Sequence, residues 1–299
     1  MSDIQQFFNK NKKVIFVTAA ASFAALGAYY FFNKIQSENK VQKNQQTNQL
    51  QRNSITGFQD EEQYKLKARQ ISQKIAVKKI GNSNFYDMNT ISQVLEYSIE
   101  LAGDEYVQET LNNRESRRKL MKTDGEQYEK LILQYNDNVE NILRKAQSCI
   151  LEELNISCDD FEESVIAFME QGHYQEIYMF QAAIRQKIKE KIASQKNLTV
   201  DRIKEIIKFQ IELLKQQPQL LKNSINKLSS NNETVQLIPT IISTMLHDYI
   251  HEQFKVEEED QMKVMTRTEM TNDHEIILLL QEIEQEMYKL MMPFGQGGI

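Results

Sequence analysis

Residues 14–32, VIFVTAAASFAALGAYYFF, form a nineteen-residue run with no charge and no proline. At a rise of 1.5 Å per residue the run makes a helix of about 28 Å, close to the hydrocarbon thickness of a bilayer. A helix satisfies its own backbone hydrogen bonds in lipid, so the stretch can cross as a single element. Val14, Phe16, Phe23, Leu26, Tyr29, Tyr30, Phe31 and Phe32 supply its apolar bulk, and Lys10, Lys12, Lys13 and Lys34 bracket it.

Three other readings fit less well. A signal peptide has a shorter apolar stretch and a small-residue cleavage site beyond it, whereas this run ends in four aromatics. A mitochondrial transit peptide is amphipathic and rich in arginine, and the first fifty residues contain none. A buried soluble helix would show one polar stripe, which is missing here. The expectation is an uncleaved anchor, with Tyr29 and Tyr30 at headgroup level, where a ring is half buried and its hydroxyl stays wet. Ala20, Ala24 and Ala28 recur every four residues. That row either lets two such helices approach closely, giving a homo-oligomer, or only lowers the hydrophobicity of the span for targeting.

The stretch NKKVIFVTAAASFAALGAYYFFNKIQ, residues 11–36, resembles the N-terminal anchor of the fungal tetratricopeptide import receptor of the mitochondrial outer membrane. The shared features are the Asn-Lys start, the Ala/Thr-rich middle, the G-A-Y-Y passage into aromatics and the Asn-x-x-Gln exit. The resemblance implies the mitochondrial outer membrane and a cytosolic body, with endoplasmic reticulum or peroxisome as alternatives. Lysines stand on both flanks, so the positive-inside rule favours neither orientation. No 34-residue period follows, so nothing of that receptor's repeat array carries over.

The rest of the chain reads as helix. Nine glycines, three prolines and no tryptophan in 299 residues leave too few turn residues for sandwiches, barrels or βαβ folds. Two cysteines, Cys149 and Cys158, cannot build a disulfide framework and suit a reducing compartment. The sequons at Asn155, Asn197 and Asn232 are expected by chance in a chain so rich in asparagine. Residues 1–53 carry a net +5, which leaves −11 on residues 54–299 of a chain at −6. A basic anchor favours an anionic bilayer surface, and the acidic body disfavours nucleic acid.

The expected organisation is an anchor segment over 1–34, a Gln/Asn-rich linker over 35–57 and a helical body over 58–299. The fold class is all-α: one transmembrane helix, a polar linker, then a multi-helix bundle or irregular helical stack. Within the body, helices are expected at 59–80, 88–102, 104–122, 125–154, 158–170, 173–194, 199–216, 220–228, 235–254 and 272–292. Gly81 and Gly103 are read as helix stops. Asp124, Ser157 and Thr199 are read as N-caps. The 125–154 helix is the one candidate for coiled-coil pairing.

One segment has the spacing of a chemical site. His247-Asp248-Tyr249-Ile250-His251 sets two imidazoles at i and i+4, as in zinc hydrolases, with Asp248 where those enzymes carry a glutamate base. Aspartate is one methylene shorter, and a third ligand would have to come from Glu252, Glu258 or His274. The competing reading puts both histidines on the solvent face of a helix whose apolar stripe is Ile241, Met245, Tyr249 and Phe254. Cys149 and Cys158 lack zinc or redox spacing. Asp124-Gly125-Glu126 lacks the other positions of a calcium loop. The basic run 114–119, RESRRK, and the acidic run 255–260, KVEEED, read as solvated faces.

No cofactor is implied. The sequence therefore predicts a membrane-anchored helical adaptor, receptor or scaffold that docks other proteins on an organelle surface. Alternatives are a peroxisome-biogenesis docking receptor of similar layout and a zinc-dependent hydrolase built on the HDYIH segment.

Overall fold

The computed structural model describes residues 58–173, 187–229, 237–267, 270 and 272–295. The expected anchor and linker, with Val14 to Phe32 and the Ala20, Ala24, Ala28 row, lie outside the described residues. No helix among the described residues is long and apolar enough to cross a membrane. The body is all-helical as expected, and its nearest approach to a strand among the described residues is one antiparallel bridge, Lys79–Tyr86.

Two long antiparallel helices form the spine. Helix α2 (Met88–Leu120) and helix α3 (Gly125–Glu153) are joined by a four-residue turn and pack along most of their length. Helix α1 (Phe58–Ser72) lies on both. Asp87 caps α2 by accepting from the Thr90 amide at 2.7 Å, and Asp124 caps α3 by accepting from the Gln127 amide at 3.0 Å. The apolar stripe of α3 is spent inside the chain, on α1 and α2 and on the helices that follow, so it is not a free coiled-coil seam.

Two boundaries differ from the sequence reading. The expected stop at Gly103 is absent, and α2 runs through it as one helix of 33 residues. The buried row Ile99, Ala102, Tyr106 continues on both sides of the glycine, and packing outweighs a propensity cost of about 1 kcal/mol. A β-carbon on Gly103 would lie 2.0 Å from Lys191 Nζ, so the missing side chain leaves room for that lysine to cross the helix. The first helix ends at Ser72, not near residue 80. Ser72 Oγ donates to the Arg69 carbonyl at 2.9 Å, and the chain enters a loop pinned by Thr90, whose hydroxyl accepts from the Lys78 amide. Gly81 sits in that loop at φ +54°, a conformation that suits glycine, and it terminates no helix.

Helix α4 (Cys158–Phe168) opens at Ser157, whose hydroxyl accepts from the Asp160 amide at 3.0 Å, and it runs on into a π-helical turn, Met169–His173. Of the expected 173–194 helix, only a helical stub at 187–189 is described beyond that turn. Helix α5 (Val200–Gln216) is capped by Thr199 and closed by Gln217 in the left-handed region ahead of Pro218. Helices α6 (Gln219–Ser229), α7 (Ile238–Phe254), α8 (Glu258–Met265) and α9 (His274–Gly295) complete the body. Helix α8 falls in the stretch that sequence alone presents as a charged connection.

Two cores share the spine. One joins α1, the N-terminal half of α2, the C-terminal half of α3 and α4, around Ile91, Val94, Ile150 and Phe161. The other joins the start of α3 to α5 through α9, around Tyr128, Ile206, Ile242, Met245 and Met287. A small third cluster, Ile99, Tyr106 and Ile188, lies beside the middle of the spine. The charged residues of greatest interest lie where the C-terminal half of α2 meets α7 and α8.

Candidate functional site

Arg114, Arg117 and Arg118 occupy one side of the last turns of α2, at spacings of three and four residues that group them on a helical face. Sequence alone makes them part of a solvated patch, and the structure corrects this. Arg114 is 8% exposed and Arg117 5%, and the Arg118 side chain is 17% exposed. A buried guanidinium persists only when it is paired and hydrogen-bonded. The partners come from residues 248–259, more than a hundred positions along the chain.

Asp248 is the hub. Its carboxylate accepts from Arg117 Nε at 2.7 Å, Arg117 Nη2 at 3.0 Å, Arg118 Nε at 2.8 Å and Tyr128 Oη at 2.9 Å. Four bonds fill the lone-pair sites of a carboxylate. Burial works to raise the Asp248 pKa, but the Arg117 and Arg118 guanidiniums prevail and hold it below the ordinary carboxylate range. The Tyr128 hydroxyl is pushed well above its usual pKa, first by burial and then by the charge of Asp248, so it stays a donor. Arg117 Nη1 donates to Asn113 Oδ1 at 3.0 Å, and the Asn113 amide donates to the Leu131 carbonyl at 2.9 Å. The network thereby ties α2, α3 and α7 together.

The acidic run is consumed residue by residue, which corrects the reading of 255–260 as a solvated edge. Glu257 accepts a fork of two bonds from Arg118, both 2.8 Å, and also approaches Arg114 at 3.2 Å. Glu258 pairs with Lys189. Glu259 takes a second fork from Arg114, at 2.7 and 3.2 Å. Asp260 accepts from the Gln195 and Lys196 amides at 2.7 and 2.8 Å and from the Ser194 hydroxyl at 3.0 Å, pinning the loop that leads into α5. Its other oxygen accepts from the Glu257 amide, one half of a capping box at the start of α8. Lys255, in the left-handed region at φ +55°, ends α7 and turns the chain so that these four acids can face three different elements.

The HDYIH segment lies in the middle of this network, and its geometry departs from that of a zinc hydrolase. Asp248 has no lone pair left for a metal-bound water. His247 and His251 open onto different spaces. His247 lines a cavity between α2, α3 and α7, whereas His251 lines a groove by the ends of α2 and α7, its Nδ1 3.0 Å from Glu257 Oε1. The expected solvent face is thus only half right, since both imidazoles are half-buried. Burial lowers the pKa of each, and Arg118 adds to the effect at His251. Of the three possible third ligands, Glu252 pairs with Lys122, Glu258 with Lys189, and His274 is exposed at the start of α9. Among the described residues, no three or more His, Cys, Asp or Glu side chains are grouped to hold a metal ion.

Cys149 is half-buried and Cys158 exposed, both as free thiols. One signal in the sequence points to the network: Arg117 and Asp248 each fall on the apolar stripe of their helix. Ile99, Tyr106, Thr110, Asn113 and Arg117 follow one another at spacings of three, four or seven, as do Ile241, Met245 and Asp248. A charge on a core-facing row requires a partner. Comparison of the chain with protein-family models, with curated proteins and with solved structures finds no match.

Proposed function

We propose that the chain is a non-catalytic adaptor held at an organelle membrane by residues 14–32, with the helical body presented to the cytosol for docking other proteins. The observation that carries this reading is the saturation of the Asp248 carboxylate. The segment most like a catalytic motif is a strut that fixes α7 to α2 and α3, so the body offers a rigid helical surface. The apolar run and the polar spacer, read from sequence, supply the attachment. The resemblance of residues 11–36 to an outer-membrane anchor favours the mitochondrial surface.

Three measurements on the full chain in cells test this. Alkaline extraction should leave the protein in the membrane pellet and release a variant lacking residues 14–32. Protease added to intact organelles should degrade the body. Proximity labelling should then give a set of neighbours that disappears with the 14–32 deletion. A body protected from protease, or a neighbour set indifferent to the deletion, would overturn the proposal.

A further inference from the structure

Between the middle of α2, the middle of α3 and the first turns of α7 lies a cavity of about 130 Å³. Its two ends differ. One end is apolar, walled by Ile99, Val139, Leu143 and Ile188, which belong to the small third cluster. The other end is polar, with His247, Ser243, Thr110 and Tyr135 at its wall and the charged network behind. Thr110 donates to the Tyr106 carbonyl at 2.8 Å, so it must accept at 2.9 Å from the Tyr135 hydroxyl, whose oxygen stays available. His247 lines this space, and neither of its ring nitrogens has a hydrogen-bond partner among the described residues.

Charge decides what such a space accepts. The cations at its wall are Arg114, Arg117, Arg118 and Lys189, and their carboxylates are Asp248, Glu257, Glu258 and Glu259. Four stand against four, every one paired. A charged guest would have to break one of these pairs or enter uncompensated, and both are costly away from water. The imidazole, kept neutral by burial, offers one N–H donor and one bare nitrogen. Water can use the polar end, but it finds no partners along the apolar wall.

We propose that this cavity is a binding site for a small uncharged organic molecule of about six to eight non-hydrogen atoms, with an apolar body and one hydroxyl-like group bonded to His247. The apolar body lies along Ile99, Val139, Leu143 and Ile188. This goes beyond the adaptor reading and stands or falls independently of membrane attachment.

Ligand-observed NMR titrations of the full chain in nanodiscs test it, with phenol, toluene, benzoate and benzylamine as probes and empty nanodiscs as reference. Phenol should show one saturable site, at least tenfold tighter than benzoate or benzylamine. Ser243→Met, which fills the space, should remove the site. Val139→Phe fills it from the opposite wall and serves if the first variant loses its helical circular-dichroism signal. His247→Leu should weaken phenol by about tenfold, the loss of one hydrogen bond, and leave toluene unchanged. The proposal is overturned by any of three results: no saturable phenol site above the nanodisc reference, benzoate or benzylamine binding as tightly as phenol, or a phenol site that survives the filling variants.

Discussion

Arg117 and Asp248, 131 positions apart in sequence, meet in a two-bond fork of 2.7 and 3.0 Å with the carboxylate side chain fully buried. Burying both charges costs several kcal/mol per ion, so the pair adds less to stability than its geometry suggests. What it specifies is register. Only one alignment of α7 against α2 brings Asp248 within reach of Arg117, Arg118 and Tyr128 at once.

Tyr128→Phe removes the one neutral donor to that carboxylate and keeps the ring in the core. Asp248 is left with three of its four bonds. The variant should lose about 1.5–3 kcal/mol, as expected for a hydrogen bond to a charged group. Urea unfolding followed by circular dichroism measures it, with the m-value unchanged.

Acid should weaken the body in two stages, both with the same sign. His247 and His251 have folded pKa values below the ordinary 6.5, so the unfolded chain binds protons first. Their contribution is complete above pH 6.5 and is lost as pH falls toward the lowered folded values. Glu258, Lys189, Asp248 and Arg114 are the charges acting on His247, and all are paired in this range. Asp248, Glu257 and Glu258 also have depressed pKa values, despite burial, because of their cationic partners. Their contribution disappears only as pH drops through the carboxylate range. Melting temperatures from pH 8 to 4 should fall throughout the lower half of the series. His247→Gln should make the portion just below pH 6.5 shallower, with the share of His251 remaining. It should leave the Asp248 and Glu257 share of the carboxylate portion intact, while Glu258 loses one of the charges that depress its pKa.

Gly103→Ala weighs two effects against each other. Alanine in a helix interior is worth about 1 kcal/mol over glycine. Against it stands the displacement of the exposed Lys191 side chain, whose hydrogen bond to the Glu100 carbonyl is a long 3.5 Å contact. The ammonium can swing into solvent, so the helix term wins. The variant should be more stable by roughly 0.5–1 kcal/mol, and a destabilised protein would show that the lysine stem packs in earnest.

Sequence makes the local chemistry of this fold legible and leaves its long-range pairings obscure. The caps at Asp124, Ser157 and Thr199 each rest on a side-chain oxygen that meets an amide three residues on, and each is present. Pro218 marks the end of α5 for the same local reason. Gly103 misleads because its effect depends on the buried row around it and not on its own propensity. RESRRK and KVEEED mislead more seriously. Each is an unremarkable surface run by itself, and the two neutralise each other only when α7 and α8 fold back onto the end of α2. The placement of Arg117 and Asp248 on apolar stripes is the available hint, and it names no partner. The HDYIH spacing correctly implies two imidazoles one turn apart, but spacing alone does not show that a buried aspartate between them is bound by two arginines.

A double-mutant cycle on Arg117 and Asp248 tests most directly whether the HDYIH segment serves as a strut. Asp248→Leu leaves the buried Arg117 with Asn113 alone and should cost about 3–5 kcal/mol in urea unfolding. Arg117→Met leaves Asp248 still bonded by Arg118 and Tyr128 and should cost less. The double variant should cost much less than the two together, leaving a coupling on the order of 2–3 kcal/mol. Additive losses, or an Asp248→Leu variant as stable as the parent, would contradict the strut and leave Asp248 free for chemistry.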